Sequence, residues 1–267
     1  GTGGAIKFAS KGIDDTIVVF NGDVMTSVDV AAVVAQHKAR KAKATIVLTP
    51  VDNPTAYGLV ETDADGNVRR FLEKPKADEI TCDTINAGIY VLEPDTFDRI
   101  PKDTPYSIER GYFPSLVERG ETFVAYVERG YWIDIGTPEK YRDVHRDIFD
   151  GRCPLGPVGI SSGQPVVAPD AKVEPGALLE GPCFLDAGVV VKAGAKVGPY
   201  TVLGRSVLVE EDARVEGAIV WPNARIGRDA SVGAALVGRS CYIGKNAEVG
   251  PQAILGDKTT LSDFTKA

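Results

Sequence analysis

Nine aliphatic residues stand six apart without a break: Val167, Val173, Leu179, Leu185, Val191, Val197, Leu203, Val209 and Val215. A strand repeats every two residues and an α-helix every 3.6, so ordinary strands and turns do not generate such a run. Four places after each of the first eight comes a small residue: Ala171, Ala177, Cys183, Val189, Ala195, Thr201, Val207 and Ala213. This is the signature of a parallel β-helix, in which the aliphatic position fills a narrow prism and the small one lets the chain turn a corner. The count breaks between Val215 and Ile226, where Trp221-Pro222 is inserted. It resumes through Ile226, Val232, Ile243, Val249 and Leu255, each followed by Gly. The expected solenoid covers residues 165–256, with 257–267 as a tail.

The repeat resembles the left-handed hexapeptide β-helix. Such helices commonly carry acyltransferase or zinc sites built on histidines in the coils, but the two histidines here, His37 and His145, both precede residue 151. The coils are therefore expected to be scaffold, and both histidines to lie on solvated helix faces. Trp221, a large aromatic in a solenoid poor in aromatics, is expected at a partner surface, the alternative being that it packs over a bulged coil. A homo-oligomer formed through the β-helix follows from the first reading, because end coils leave unpaired backbone edges that proteins tend to cover.

Upstream of Pro165 the pattern is different. Thr16–Phe20 reads as a buried strand ending in Asn21-Gly22-Asp23, then a helix covers about 28–42, then a second buried strand covers Ala44–Thr49. Strand, helix and strand with short connections imply a right-handed crossover and a mostly parallel sheet covered by helices. Strand-like runs at 57–61 and 68–73 flank Asp63-Ala64-Asp65-Gly66, a hairpin signature. Further strands are expected at 86–92 and 122–127, and a helix at 138–149 with Pro138 in its first turn. The expected organisation is an α/β domain over 1–150, a linker over 151–164, and the β-helix.

Composition removes several function classes. The 30 Lys and Arg against 37 Asp and Glu leave a formal net charge of −7, which argues against binding nucleic acid through its phosphates. No apolar run reaches the ~20 residues of a membrane span. Four cysteines lie tens of residues apart with no CxxC pair, so a structural zinc site is not expected. With no secretory signal in the sequence, the default compartment is a reducing cytoplasm with free thiols.

Asp23 follows a strand, at the carboxyl edge of an α/β sheet where ligands usually bind. Asp134 lies between Ile133 and Ile135, an unusual setting for a surface acid. Two such carboxylates can hold Mg²⁺ between phosphates, since that ion takes one or two protein carboxylates plus substrate oxygens. Spacing alone leaves a turn open for Asp23 and a helix cap for Asp134. In Glu73-Lys74-Pro75 proline holds an acid and a base extended, offering an acceptor for hydroxyls and a cation for a phosphate, or simply a solvated strand end. Gly58 and Gly88 within strand-like runs mean close backbone approach to a ligand, or a bulge.

Taken in order, Gly1-Thr2-Gly3-Gly4-Ala5, Asn21-Gly22-Asp23, Tyr57-Gly58, Glu73-Lys74-Pro75, Asn86-Ala87-Gly88-Ile89-Tyr90 and Trp132-Ile133-Asp134-Ile135-Gly136-Thr137-Pro138 resemble the sugar-1-phosphate nucleotidyltransferases. Tyr106-Ser107-Ile108-Glu109 and Phe113-Pro114 bring the likeness nearest to the mannose-1-phosphate guanylyltransferases, with glucose-1-phosphate thymidylyl- and uridylyltransferases as close rivals. The resemblance implies a partial Rossmann-like domain with a mixed sheet, followed by the β-helix, and a nucleoside triphosphate and a sugar 1-phosphate as substrates. It also implies Mg²⁺ on Asp23 and Asp134, Lys74 on the sugar phosphate, Glu73 and Asn86 on sugar hydroxyls, the backbone of Gly58 on a sugar oxygen, and Thr2, Gly3 and Gly4 against base and ribose. The family's first strand and GxGxRxxP triphosphate loop are not in the sequence. Residues 1–150 are thus expected to be an N-terminally incomplete domain of a longer enzyme, or the chain a noncatalytic subunit of the same fold.

Overall fold

Ala44–Pro50 is buried along all but its last residue, and it is an interior strand of a mixed sheet. The computed structural model describes residues 1–73, 75–156 and 159–267, apart from the side chains of Glu73 and Ser162. Its contacts divide the chain into two units, Gly1–Asp134 and Ile135–Ala267. In chain order the first unit contains α1 (Thr2–Ala9), β1 (Ile17–Phe20), β2 (Val24–Thr26), α2 (Val30–Ala39), β3 (Ala44–Pro50), β4 (Gly58–Thr62), β5 (Val68–Glu73), β6 (Thr84–Leu92), α3 (Phe113–Glu118), β7 (Phe123–Val127) and β8 (Trp132–Asp134). The sheet order is β5-β4-β6-β3-β7, with β1 also on β6.

The sheet is mixed rather than mostly parallel. Among the described residues of this sheet only β3 and β7 run parallel; β1 and β3 are both antiparallel to β6, which lies between them, so the α2 crossover spans a strand instead of joining neighbours. The run at 16–20 is also not buried. In β1 half-buried and exposed residues alternate, with Val18 39% and Phe20 48% exposed, because β1 pairs only with β6 among the described residues. The hairpin forms as expected: Asp63 Oδ1 accepts from the backbone N–H of Asp65 and Asn67, and the Asn67 and Arg69 side chains help hold the Asp63 carboxyl down at about 2.

Neither histidine is solvated. His37 is 1% exposed, its Nδ1 2.8 Å from the Thr45 hydroxyl and its Nε2 2.9 Å from Glu93. It occupies the same helix face as buried Val33, four residues earlier. His145 is half-buried, with Nδ1 2.7 Å from the Tyr141 carbonyl, and burial lowers its pKa.

Glu93 joins β6 to α2 and to the residue before β1. Burial raises its pKa, but hydrogen bonds from Thr16 and His37 outweigh that and hold the carboxyl below its ordinary 4.5. A depressed folded pKa gives stability that is present above the unfolded value and lost as pH falls through the folded one. The urea midpoint is therefore expected to fall more steeply below about pH 4.5 in the parent than in Glu93→Gln. Parallel pH profiles would contradict this role for Glu93.

In the second unit, helix α4 (Pro138–Phe149) begins at Thr137, whose hydroxyl accepts from Lys140 N–H. Three parallel sheets follow, of six, five and six short strands, as a hexapeptide β-helix requires. The interior column contains Leu185, Leu203, Val209, Ile226 and Ile243, all 0% exposed. Each such side chain contributes about 1.5–3 kcal/mol by burial.

Nothing is inserted at Trp221-Pro222. Lys172 pairs with Val190, eighteen residues on, but Val202 pairs with Ile219 and Leu208 with Arg225, seventeen on. Corner residues with positive φ locate the lost positions. They run Tyr200, Ser206, Asp212, Gly217, Asn223, Asp229, Ala234, Ser240, Asn246, Gln252, Lys258 and Phe264, stepping by six except at 212–217 and 229–234, where the step is five. Val220 and Val237, both buried, fill the interior positions that a fixed count of six misses. The expected tail also belongs to the solenoid. Thr260–Leu261 pairs with Tyr242–Ile243, and Gly250 N–H donates to the Ala267 carbonyl.

On one sheet the outward column is apolar throughout: Val166, Phe184, Val202, Ile219, Leu236 and Ile254 are register partners. Tyr141 of α4 meets Trp221, which follows Ile219–Val220, and Phe149 meets Tyr200, which precedes Thr201–Leu203. Helix α4 therefore lies along this column. Its 12 residues make about 18 Å, roughly four coils at ~4.8 Å each. This is why the contacts divide at 134/135 rather than at the expected 150. Trp221 is half-buried, donates a hydrogen bond to Tyr141 and lies under Arg239 at 5.1 Å. It packs within its own unit, the alternative left open by the sequence. The segment after α4 is anchored by buried Cys153 and Ile160. Among the described residues no helix is long and apolar enough to cross a membrane, and all four cysteines are free thiols.

Candidate functional site

β2 and β8 form a separate two-stranded antiparallel ladder, pairing Val24 with Asp134, Met25 with Ile133 and Thr26 with Trp132. Opposed Cα atoms in such a ladder lie about 4.5–5.5 Å apart. Asp23, one residue before Val24, therefore has its Cα about 6 Å from that of Asp134. Asp23 is exposed and Asp134 half-buried.

The ladder is fixed to a bulge in β6. Between Ile46–Tyr90 and Leu48–Asn86 the register moves two residues along β3 and four along β6. Gly88 lies in the extra stretch at φ +76°, a conformation that costs most other residues about 1–2 kcal/mol. A Cβ there would come within 2.8 Å of the Asn21 amide nitrogen, so the glycine is needed for close approach as well as for its dihedral. The bulge turns two carbonyls away from the ladder: Asn21 N–H donates to Gly88 O at 2.8 Å, and Trp132 Nε1–H donates to Ala87 O at 2.9 Å. Trp132 and Asp134, two apart on β8, share a face of the strand. The turn bearing Asp23 and the strand bearing Asp134 are thus both tied to residues 87–88.

Asn86 enters the bulge with its amide oriented. Its Oδ1 accepts from Gly88 N–H and its Nδ2 donates to the Tyr90 hydroxyl, both at 2.9 Å. Among the described residues these leave one amide hydrogen and one carbonyl lone pair without a partner. Buried Gly58 pairs with Glu73 across the β4–β5 hairpin, and Leu59 pairs with Ile85, the neighbour of Asn86. Tyr57 sets its ring edge to Trp132 at 5.6 Å. Asp23, Asp134, Gly58, the Glu73 backbone and Asn86 are therefore linked through one bulge and its neighbours. Lys74 and the Glu73 side chain lie outside the described residues.

Thr2, Gly3 and Gly4 form a second group, in the first turn of α1. Gly3 N–H donates to Tyr106 O at 3.0 Å. The Thr2 hydroxyl accepts from Ile108 N–H and donates to Glu109, both at 3.2 Å. These contacts tie the group to residues 106–109 and not to the bulge. Trp132, Asn21 and Tyr90 also belong to the arrangement at the bulge, and Gly88 in a strand-like run is the sequence signal for the bulge that joins them.

Among the described residues no group of three or more His, Cys, Asp or Glu is placed to hold a metal. A cation here would therefore rely on two carboxylates and on substrate oxygens. Hard oxygen donors, one of them exposed, fit Mg²⁺, which retains water or phosphate in most of its coordination positions.

The sequence is similar to known proteins. The family model described as nucleotidyl transferase matches residues 1–151, and the one described as GMPPB C-terminal domain matches 179–265. A mannose-1-phosphate guanylyltransferase of Mycobacterium tuberculosis is 40% identical over 82% of this chain and 59% of its own length. A probable mannose-1-phosphate guanylyltransferase 1 of Oryza sativa is 34% identical over 85% of the chain and 64% of its own. A UTP–glucose-1-phosphate uridylyltransferase of Synechocystis is 32% identical over 80% and 56%. The chain thus spans 56–64% of the length of these relatives. With more than half of its residues matched by the first model, and with the carboxylate ladder and glycine bulge inside that match, the chain belongs to the nucleotidyl transferase family.

Proposed function

We propose that the protein joins a nucleoside triphosphate to a sugar 1-phosphate and releases pyrophosphate, acting as a mannose-1-phosphate guanylyltransferase. The observation that supports this reading is the pairing of Val24 with Asp134, which brings residues 23 and 134 to one end of a ladder tied to the β6 bulge. The names of the M. tuberculosis and O. sativa relatives support guanylyl and mannose 1-phosphate. The Synechocystis relative supports uridylyl transfer to glucose 1-phosphate as the second reading.

In the reaction an oxygen of the sugar phosphate bonds to the α-phosphorus, and the bond from that phosphorus to the bridging oxygen breaks. The electron pair leaves with pyrophosphate. The nucleophile is already ionised, so the protein's task is positioning and charge neutralisation rather than proton transfer. Asp23 and Asp134 would hold Mg²⁺, which when bound offsets charge on the phosphates. Asn86, pinned by Gly88 and Tyr90, offers its remaining donor and acceptor to sugar hydroxyls, beside Glu73, and the Gly58 backbone faces another sugar oxygen. Lys74 neutralises the sugar phosphate. Thr2, Gly3 and Gly4 lie against base and ribose, where the Thr2 hydroxyl keeps one lone pair. We place the protein in a reducing cytoplasm, in keeping with its free thiols, and as a homo-oligomer assembled through the β-helix.

Pyrophosphate release separates the two readings, assayed in a protein that carries the triphosphate loop as well as residues 1–267. GTP with mannose 1-phosphate is expected to give at least tenfold higher kcat/KM than UTP or dTTP with glucose 1-phosphate. The reverse order would select the second reading, and no release with any pair would overturn both.

A further inference from the structure

The corner that carries Trp221 carries glycine in the coils on either side. Gly204 N–H donates to Val220 O, Trp221 N–H to Val237 O and Gly238 N–H to Leu255 O, so Gly204, Trp221, Gly238 and Gly256 follow one another up the solenoid. A Cβ at Gly238 would lie 2.7 Å from the backbone nitrogen of Asp257 and 2.8 Å from its Oδ1. The glycine therefore lets the Asp257 carboxylate fold back over the coil below, where Oδ1 accepts from Arg239 N–H at 2.8 Å. Asp257 forms no ion pair among the described residues. Arg239 lays its guanidinium on the Trp221 ring instead, 5.1 Å from its centre.

Helix α4 begins at Pro138, and beside its first turn it leaves part of the solenoid uncovered. A cleft of about 430 Å³ opens there, lined by Tyr141 and Trp221, by Leu236 and Ile254 of the outward column, and by Asp257. All of these residues lie in the second unit. The volume is that of a small-molecule site, and so is the lining, mostly apolar with few polar groups. Trp221 gives its ring N–H to the Tyr141 hydroxyl, which leaves the Asp257 carboxylate as the charged group of the lining.

The geometry points to a binding site for a flat bicyclic nitrogen heterocycle that presents N–H donors along one edge. Its ring packs against Tyr141 and Trp221, where aromatic groups meet edge to face or offset, and covers Leu236 and Ile254. Two adjacent N–H donors match the two oxygens of a carboxylate, a paired contact stronger than a single neutral hydrogen bond. Other chemistries fit less of the cleft. A wholly apolar ligand would take water from Asp257 and return no hydrogen bond, which is costly. An anion would stand against the carboxylate. A compact ammonium ion would satisfy Asp257 and leave the rings and aliphatic side chains in water. The site is independent of the reaction assigned to the first unit.

The probe is 2-aminobenzimidazole, whose ring and amino nitrogens form such an edge, and its control is 2-methylbenzimidazole, of the same shape with a methyl in place of the amino group. The whole chain labelled with fluorotryptophan has two fluorine signals, from Trp132 and Trp221, assigned with Trp221→Phe. The probe is expected to shift the Trp221 signal and leave that of Trp132 in place, with a dissociation constant below about 1 mM and at least tenfold lower than that of the control. Asp257→Asn, which keeps an acceptor for Arg239 N–H, should weaken the probe at least tenfold and bring it level with the control, with the far-UV circular dichroism unchanged. Leu236→Phe, which fills the cleft, should weaken probe and control together. A probe that shifts neither signal, shifts that of Trp132 instead, binds no better than the control, or binds parent, Asp257→Asn and Leu236→Phe alike overturns the proposal.

Discussion

Asp134→Asn is expected to lower turnover by about 10²–10³-fold, the range for removing one preorganised group that stabilises developing charge, while sugar 1-phosphate affinity changes by only a few fold. Asparagine keeps the size of the side chain and one acceptor oxygen but removes the charge, so the β2–β8 ladder should survive. The asymmetry follows from position. Asp134 is paired with Val24, beside Asp23, whereas the groups proposed for the sugar, Gly58 and Asn86, lie on β4 and β6. Steady-state kinetics with each substrate varied, together with calorimetry of sugar phosphate binding, separates the two effects. Equal turnover in variant and parent would remove Asp134 from the reaction. A parallel fall in affinity and turnover would mean that the substitution disturbs the bulge as a whole.

Val209→Asp is expected to destabilise the β-helix by about 3–5 kcal/mol, the cost of an unpaired buried charge and a large share of the 5–15 kcal/mol that holds a typical domain. Val209 is 0% exposed, stacked between Val191 in the coil below and Ile226 in the coil above. In the same coil Leu203 and Val215 are buried beside it, one from each of the other two faces. Lys196→Asp, on the outside of a neighbouring face, should change stability by no more than about 0.5 kcal/mol. Urea unfolding followed by circular dichroism compares the two. Similar midpoints would contradict the interior assignment.

The prism was legible in the sequence because its chemistry is local. Each coil repeats one requirement, an aliphatic residue inward, and nine matches leave few alternatives. The two shortened corners escaped because a fixed count of six cannot see a missing residue. Val220 and Val237 fall one place early, and residue type does not mark the short corners, since Gly188 and Gly194 occupy corners of the regular six-residue step just as Gly217 occupies a short one. The site of α4 was hidden for another reason. Its partner is a column of single outward residues, Val202, Ile219 and Leu236 among them, contributed by strands seventeen residues apart. His37 is buried although Lys38 and Arg40 stand beside it, because its spacing of four from Val33 puts it on the buried face of the helix. In the candidate site the residues of Asn21-Gly22-Asp23 and Trp132-Ile133-Asp134 were recognisable as motifs 111 positions apart. Their mutual register was not, because a bulge that turns out the carbonyls of Ala87 and Gly88 sets it.

The two-carboxylate arrangement is tested most directly by counting the cation. Mn²⁺, a paramagnetic stand-in for Mg²⁺, can be titrated into the protein and the free ion followed by electron paramagnetic resonance, with and without nucleoside triphosphate. The arrangement predicts one ion per chain, with affinity lowered at least tenfold by Asp23→Asn and by Asp134→Asn, and by little more when the two are combined. Undiminished Mn²⁺ binding in both single variants would contradict it.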